Sequence, residues 1–328
     1  MTNMIIRRLL LAVPTLIVIS MVSFFIIQLA PGDFLTQKIA ELEQRYGDAS
    51  SLARVQELRE RYGLDKPIYV QYGKWVWGAL HGDFGESFRY EREVSELIWE
   101  RIGYTLVLSI GALIFIYVVS IPLGIYSATH NRSLPDRVLM LLCFLGMSMP
   151  TFLVALTVIV VVFNTLGIPL FGLFSMQYES APWSWAKFVD LLKHLWIPVI
   201  VMSLNGVGGL VRIMRANMLD VLGEPFVLAA RAKGLSERAV IYRHAARIAI
   251  NPVISILGMS LPSIVSGETI IAIVLGLPTI GPLLFQSLQD QDMYLAGTLI
   301  LMTSTLLIVG NLLADIVLAW ADPRIRYE

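Results

Sequence analysis

Six apolar runs of about twenty residues or more alternate with polar stretches along this chain, and that alternation predicts an all-α, polytopic membrane protein with six transmembrane helices. The runs cover about 9–32, 104–128, 138–164, 195–216, 252–275 and 296–320. The first follows Arg7 and Arg8, is too long for a signal-peptide core and ends at Pro31-Gly32-Asp33 instead of a small-residue cleavage site, so it is expected to be retained. Residues 33–103 form the largest polar region. Apolar positions at Leu52, Val55 and Leu58, and again at Val94, Leu97, Ile98 and Ile102, recur at helical spacing and predict short amphipathic surface helices there. Tyr69, Tyr72, Trp75 and Trp77 fall between them, where rings are expected at the lipid headgroups or capping the bundle; a substrate-binding stripe is the alternative. A second loop, 165–194, carries Trp183 and Trp185 near its membrane edge, with Trp196 just beyond.

Charge gives the orientation. From Arg212 to Arg247 there are seven Lys or Arg against three acids, whereas Leu277 to Leu295 holds two acids and no Lys or Arg. The first of these segments is therefore expected in the cytoplasm, and six spans then put both termini there and region 33–103 outside. Apolar residues make up 56% of the chain, yet 25 basic and 25 acidic residues cancel; nearly all avoid the apolar runs, as a membrane bundle requires. Cys143 is the one cysteine, and His81, His130, His194 and His244 are scattered, so no disulfide framework, thiolate metal site, HExxH pair or GxSxG elbow is available. The chain therefore reads as a non-enzyme, without a metal site and without a nucleic-acid partner.

Pro122, Pro150, Pro198 and Pro262 fall inside predicted spans two to five, and Gly206, Gly208 and Gly209 inside span four. An interior proline frees a carbonyl that only protein or an aqueous cavity can satisfy, so kinked helices around a pathway are one reading; close packing through small residues is the other. Two acids lie within spans. Asp315 sits near one end of span six, where structural pairing, for instance with Arg324, is expected. Glu268 lies about 25 Å into span five at 1.5 Å per residue, and an acid there either marks a pathway or gate or ties helices together.

The polar segment 217–248 is the most sharply punctuated part of the chain. Pro225 suits a first helical turn, and Glu224 puts negative charge at its positive end. Gly234 can take the left-handed conformation that ends a helix, and Ser236 offers a hydroxyl to a second helix with Glu237 in its first turn. Ala229, Ala230 and Ala232 predict a face of little bulk on which another protein could close, with Arg231 and Lys233 as polar anchors. A loop that is basic only because cytoplasmic loops generally are is the rival reading.

At RAKGLSERAVIYRHA (231–245) the chain resembles the permease subunits of binding-protein-dependent ABC importers, in particular the B-type subunits of dipeptide and oligopeptide transporters. Similar landmarks are RRLLLAVPTLIVISMVSFFIIQLAPGD, YGLDKPIYVQY, HGDFGESF, SGETIIAIVLGLPTIGPLL and DPRIRYE, spread over almost the whole length. The resemblance implies the type I importer permease class in a bacterial or archaeal plasma (inner) membrane. It also implies a C-type permease partner, two cytoplasmic ATPase subunits, an extracytoplasmic solute-binding protein and surrounding membrane lipid. Leu228 to Gly234 then corresponds to the family's EAA core, with Ala229, Ala230 and Gly234 matching, Leu228 in place of the usual acid, and no Ile-x-Leu-Pro ending at 244–247.

The local reading and the resemblance together make Glu224, Pro225, Ala229, Ala230, Arg231, Lys233, Gly234 and Leu235 the expected contact for an ATPase; Glu268, on the acid of a similar family stretch, and the span-interior Pro150 are the expected residues of the translocation path or gate. No phosphate loop G-x-x-x-x-G-K-[ST] is present, so ATP and Mg are expected on the partner ATPases. The expected function is half of a path for a small solute, di- or oligopeptides above all. An ion-coupled secondary carrier using Glu268 is the alternative, although no paired broken repeats are visible.

Overall fold

A computed structural model describes residues 2–29, 66–87, 89–167, 171–256 and 269–321. In chain order the elements are α1 (Thr2–Leu29), α2 (Ile68–Leu80), the strands β1 (Glu86–Ser87) and β2 (Arg92–Glu93), α3 (Val94–Thr129), α4 (Leu134–Ser148), α5 (Thr151–Leu166), α6 (Met176–Glu179) and α7 (Trp185–Leu222). Then follow α8 (Pro225–Ala232), α9 (Glu237–Ala239), a π-helical stretch (Val240–Ala245), α10 (Ala246–Ala249), α11 (251–256), α12 (Thr269–Val274), α13 (Ile280–Gln289) and α14 (Met293–Ala321). Among the described residues, α3 and α7 over their whole length, α1 over Ile6–Phe25 and α14 over Met293–Leu313 are long and apolar enough to cross a membrane. Helices α4 and α5 pass the same test only together, and they meet at 105°.

That bend replaces the kinked but continuous third span expected from the sequence. Met149 is extended (φ −86°, ψ 134°) and Pro150 caps the start of α5. The residue before a proline is pushed out of the α region, and here that suffices to stop one helix and start another. Three further expectations change. Val94, Leu97, Ile98 and Ile102 do not form a separate surface helix; all four are buried on the first turns of the 36-residue α3, which runs through Gly103 into span two with no proline before Pro122 to interrupt it. The aromatic cluster is not simply interfacial: Tyr69 and Trp77 are exposed on α2, but Trp75 is buried, 5.7 Å from the Phe24 ring, and the Tyr72 hydroxyl lies 2.7 Å from Ser20 Oγ. Helix α7 starts at Trp185, ten residues ahead of its apolar run, capped by Ser184 Oγ accepting from Lys187 N at 3.2 Å. The expected helix at 52–58, the half of span five between α11 and α12 with Pro262 and Glu268, and Arg324 lie outside the described residues.

Contacts divide the chain into two compact units, with boundaries inside α3 after Thr105, at Pro278 and inside α14 after Ile308. In the unit holding residues 2–105 and 279–308, buried Asp292 accepts from Ser87 Oγ at 2.6 Å and from the Leu295 amide at 3.2 Å, while Thr105 Oγ1 accepts from the Ile280 amide at 3.0 Å.

The other unit is organised by α7, and its close contacts fix the direction of its neighbours. Ser203 Oγ donates to Ala112 O at 3.2 Å, a Cβ on Gly206 would meet Ile116, Ser120 Oγ donates to Val207 O at 3.4 Å, and a Cβ on Gly124 would fall 2.6 Å from Met214 Cβ. Partners climb both helices together, so α3 and α7 run parallel. Against α4 the order reverses: Asp136 meets Arg215, and a Cβ on Gly208 would fall 2.8 Å from Cys143 O. Helix α4 is therefore antiparallel to α7, the alternation that three successive crossings require. Gly208 and Gly124 thus serve close helix approach.

Candidate functional site

The segment after α7 folds as a helix, a tight turn and a second helix. Pro225 occupies the first turn of α8, and Glu224 is its N-cap, although neither the Glu224 nor the Ser236 side chain bonds to a backbone amide of the helix it precedes. The hydroxyl expected to start the second helix is thus not used. The turn is held by the backbone: Gly234 has φ +77°, its amide donates to Arg231 O at 2.9 Å, and the Leu235 amide donates to Ala230 O at 3.4 Å. This pair of bonds is the Schellman ending, which needs a residue in the left-handed region where glycine has no steric cost. The two helices are also tied by Arg231, whose Nη2 and Nε donate to the Glu237 carboxylate at 2.7 and 3.2 Å. That bond holds the Glu237 carboxyl below its ordinary range.

Burial divides α8 into a root and a face. Val227 and Ala230 point into a core shared with Met214 and Met218 of α7, Ile125 and Ala128 of α3, and Val240, Ala245 and Ala249 beyond the turn. Ala230 therefore belongs to the root, not to the small-residue docking face expected of it. The outward face is Phe226, Leu228, Ala229 and Ala232, continued by exposed Leu235 and Tyr242. It is more apolar than the basic count of the segment suggested; Lys233, Arg238 and Arg243 are exposed around it, while Arg231 is already engaged by Glu237. The base is fixed further by Asn217 Nδ2, which donates to Ala249 O at 3.4 Å, and by the Tyr117 hydroxyl, which donates to Val253 O at 3.2 Å.

Sequence reasoning missed the charged centre of this base. Asp136, only 2% exposed, accepts from Arg215 Nε and Nη2, both at 2.9 Å, from the Arg132 amide at 2.9 Å and from the Ser127 hydroxyl. Arg215 Nη2 also donates to Asn131 Oδ1 at 2.9 Å. Asp136 lies in the first turn of α4, ahead of apolar run 138–164, and the Arg215 guanidinium holds its carboxyl well below the usual carboxylate range; burial opposes this, and Ser127 and the Arg132 amide add to it. One carboxylate thereby joins the end of α3, the start of α4 and the last third of α7. The one local signal was Ser133-Leu134-Pro135-Asp136, a capping arrangement in which the Asp136 amide donates to Ser133 Oγ at 3.3 Å.

Of the residues expected at the ATPase contact, Glu224, Pro225, Ala229, Arg231, Lys233, Gly234 and Leu235 are exposed and gathered on α8 and its turn, and Ala230 is buried beneath them. Of the expected gate residues, Pro150 is at the α4–α5 break, and Glu268 lies outside the described residues. Among the described residues no group of three or more His, Cys, Asp or Glu could hold a metal ion.

Two family models match the chain: one described as binding-protein-dependent transport system inner membrane component, over residues 120–327, and one for the N-terminal part of the same kind of membrane component, over residues 1–109. The chain is 35% identical over 333 residues to the oligopeptide transport system permease protein AppB of Bacillus subtilis, and 32% identical over 346 residues to the dipeptide transport system permease protein DppB of Escherichia coli K12. Each alignment covers the whole of both chains. The chain belongs to the family of binding-protein-dependent transport system inner membrane components, the multi-pass permeases of ABC importers.

Proposed function

We propose that this permease forms half of a translocation path for di- or oligopeptides, completed by a second, C-type permease and driven by two cytoplasmic ATPase subunits that hold the ATP and Mg. An extracytoplasmic binding protein delivers the peptide, both chain termini are cytoplasmic, and α8 with its turn is the seat of one ATPase. The peptide assignment rests on the relatives' names, oligopeptide permease and dipeptide permease. The ATPase seat rests on one observation: α8 exposes small and apolar side chains at Phe226, Leu228, Ala229 and Ala232 while Val227 and Ala230 root it in the core. A free apolar helix face on a rigid base fits a groove on a partner.

Glu224, Pro225, Arg231, Lys233, Gly234 and Leu235 shape or rim that seat in this reading. Pro150 and Glu268 are assigned to the path, Pro150 as the pivot between α4 and α5.

The test is affinity purification from the native membrane with assay of ATP hydrolysis. Wild type should retain an ATPase and a second permease. Ala229→Arg, which alters the face but not the root, should release the ATPase without lowering the amount of chain in the membrane. Gly234→Val, which strains the turn, should uncouple hydrolysis from uptake. Retention of the ATPase by Ala229→Arg, with wild-type hydrolysis, would place its seat elsewhere.

A further inference from the structure

The Asp136 carboxylate and the Arg215 guanidinium meet where α3, α4 and α7 converge, with Asp136 almost fully buried and Arg215 about a quarter exposed. Arg215 is flanked on α7 by Met214 and, one turn on, Met218, both wholly buried in the core that roots Val227 and Ala230 of α8. Ser127, on the other side of Asp136, is followed by Ala128 of the same core.

The ion pair is also the first of several grips between α4 and α7. Arg212, one turn before Arg215, lies 4.6 Å from the centre of the Phe144 ring and reaches Met147 Sδ at 3.6 Å. At Gly208 the approach of the helices leaves no room for a Cβ, which would fall 2.8 Å from Cys143 O. Helix α4 then ends at Ser148, directly before the 105° break into α5.

From this arrangement we infer that Asp136 and Arg215 are positioning residues for energy coupling: their ion pair makes the root of α8 and the whole of α4 one body, so that displacement of α8 is delivered to the Met149-Pro150 pivot. The inference rests on the reading of α8 as the ATPase seat. The physical basis is selective. Side chains at a greasy contact can slide past one another at little cost, whereas a two-pronged guanidinium–carboxylate bond, completed by Ser127 and the Arg132 amide, has one geometry and a large penalty for leaving it. Apolar packing between α4 and α7 would hold the helices together; the pair fixes their register. Neither residue touches a substrate or a nucleotide in this account, and each acts through the helices it joins.

The experiment uses the importer purified with its partners through this chain, in lipid nanodiscs. MgATP hydrolysis is measured with and without its binding protein, with a casein hydrolysate as the peptide source, at matched ATPase content. Asp136→Asn and Arg215→Gln keep shape and lose the ion pair; both should retain the ATPase and near-wild-type basal hydrolysis, but the ratio of stimulated to basal rate should fall at least fivefold. Arg215→Lys restores the charge through a single prong and should recover at least half of the lost stimulation. A purely structural role would lower assembled complex and leave the ratio per complex unchanged.

Wild-type stimulation in Asp136→Asn and Arg215→Gln overturns the inference. So does loss of assembly in both variants with no recovery in Arg215→Lys, which would make the pair a folding element alone. A wild-type chain that retains no ATPase overturns the seat on α8 itself, and that failure is seen before any variant is made.

Discussion

Helix α7 engages a buried charge at each end, its own Lys187 and Asp190 at the start and Asp136 of α4 near the finish, and the two ends use it differently. Its 38 residues span about 57 Å, with Lys187 and Asp190 near the start and Arg215 roughly 42 Å further on. At the far end the charges belong to different helices and meet each other, Arg215 with Asp136. At the near end Lys187 and Asp190 share one helix and each holds a stretch of the preceding loop. Lys187 Nζ donates to Ala181 O at 2.6 Å and to Glu179 O at 3.3 Å, and lies 4.8 Å from the Phe174 ring centre and 5.5 Å from that of Trp183. Asp190 accepts from the Ser175 amide and hydroxyl, both at 2.7 Å. One end therefore fixes helix against helix, and the other folds a loop onto a helix. The lesson concerns what each end must resist: an ion pair between elements opposes relative movement of helices, while carbonyl and amide bonds keep a local loop in shape.

The largest expected break in this comparison is Arg215→Ala. Removing one partner of a buried pair strands the other, and costs about 3–5 kcal/mol in general; Ser127 and the Arg132 amide remain on Asp136 and should hold the loss near the lower figure. Thermal unfolding of the purified complex measures it, and an unchanged midpoint would mean the pair contributes nothing net. The pH dependence sharpens the point. The folded Asp136 carboxyl is held below its unfolded value, which is about 3.9 for a free Asp, so the stabilisation is fully present above about pH 4 and is lost as pH falls through the folded value. The gap between wild type and Asp136→Asn should stay constant from about pH 8 to 5 and narrow only in stronger acid. A gap that already closes near pH 6 would show that another group controls it.

At the other end of α7, Lys187→Met keeps the aliphatic stem against Phe174 and Trp183 and removes the ammonium. The carbonyls of Glu179 and Ala181 lose a donor, a cost of about 1–3 kcal/mol, smaller than at Arg215 because no buried charge is left behind. Limited proteolysis should find loop 171–184 cut sooner in this variant while α8 and its turn keep wild-type resistance. Equal acceleration at both places would mean that the two ends of α7 do not behave as separate grips.

What could be read from the sequence follows the range over which each interaction acts. The limits of α8 were legible because Pro225 and Gly234 impose backbone conformations on themselves, whatever surrounds them. The Pro150 break was legible as a disturbance but not in size, since the extended Met149 turns a kink into a corner. Asp136 with Arg215 was not legible: the partners are 79 positions apart, and in sequence Asp136 is one acid between Arg132 and Arg137 in a short polar turn. The split of α8 into root and face was half legible, because three alanines mark low bulk but not that Ala230 alone of the three turns inward.

The smallest expected effect belongs to the pair that most resembles Asp136–Arg215 on paper. Arg231 and Glu237 also make a two-pronged bond, across the Gly234 turn, but both side chains are open to solvent, at 39% and 58% exposure. Water and salt screen such a pair, and the two free side chains lose rotamer freedom in making it. Glu237→Gln should leave the melting midpoint of the complex within error of wild type at physiological salt, because Gly234 and the backbone bonds from Gly234 and Leu235 already set the turn. Its consequence should be visible instead in partner affinity: with Glu237 neutral, Arg231 is released and joins Lys233 at the edge of the apolar face, changing the salt dependence of ATPase retention. Titrating retention of the ATPase against NaCl in wild type and Glu237→Gln distinguishes the two roles. A lowered midpoint with unchanged salt dependence would make Arg231–Glu237 a structural staple equivalent to the buried pair, and burial would no longer explain the difference between them.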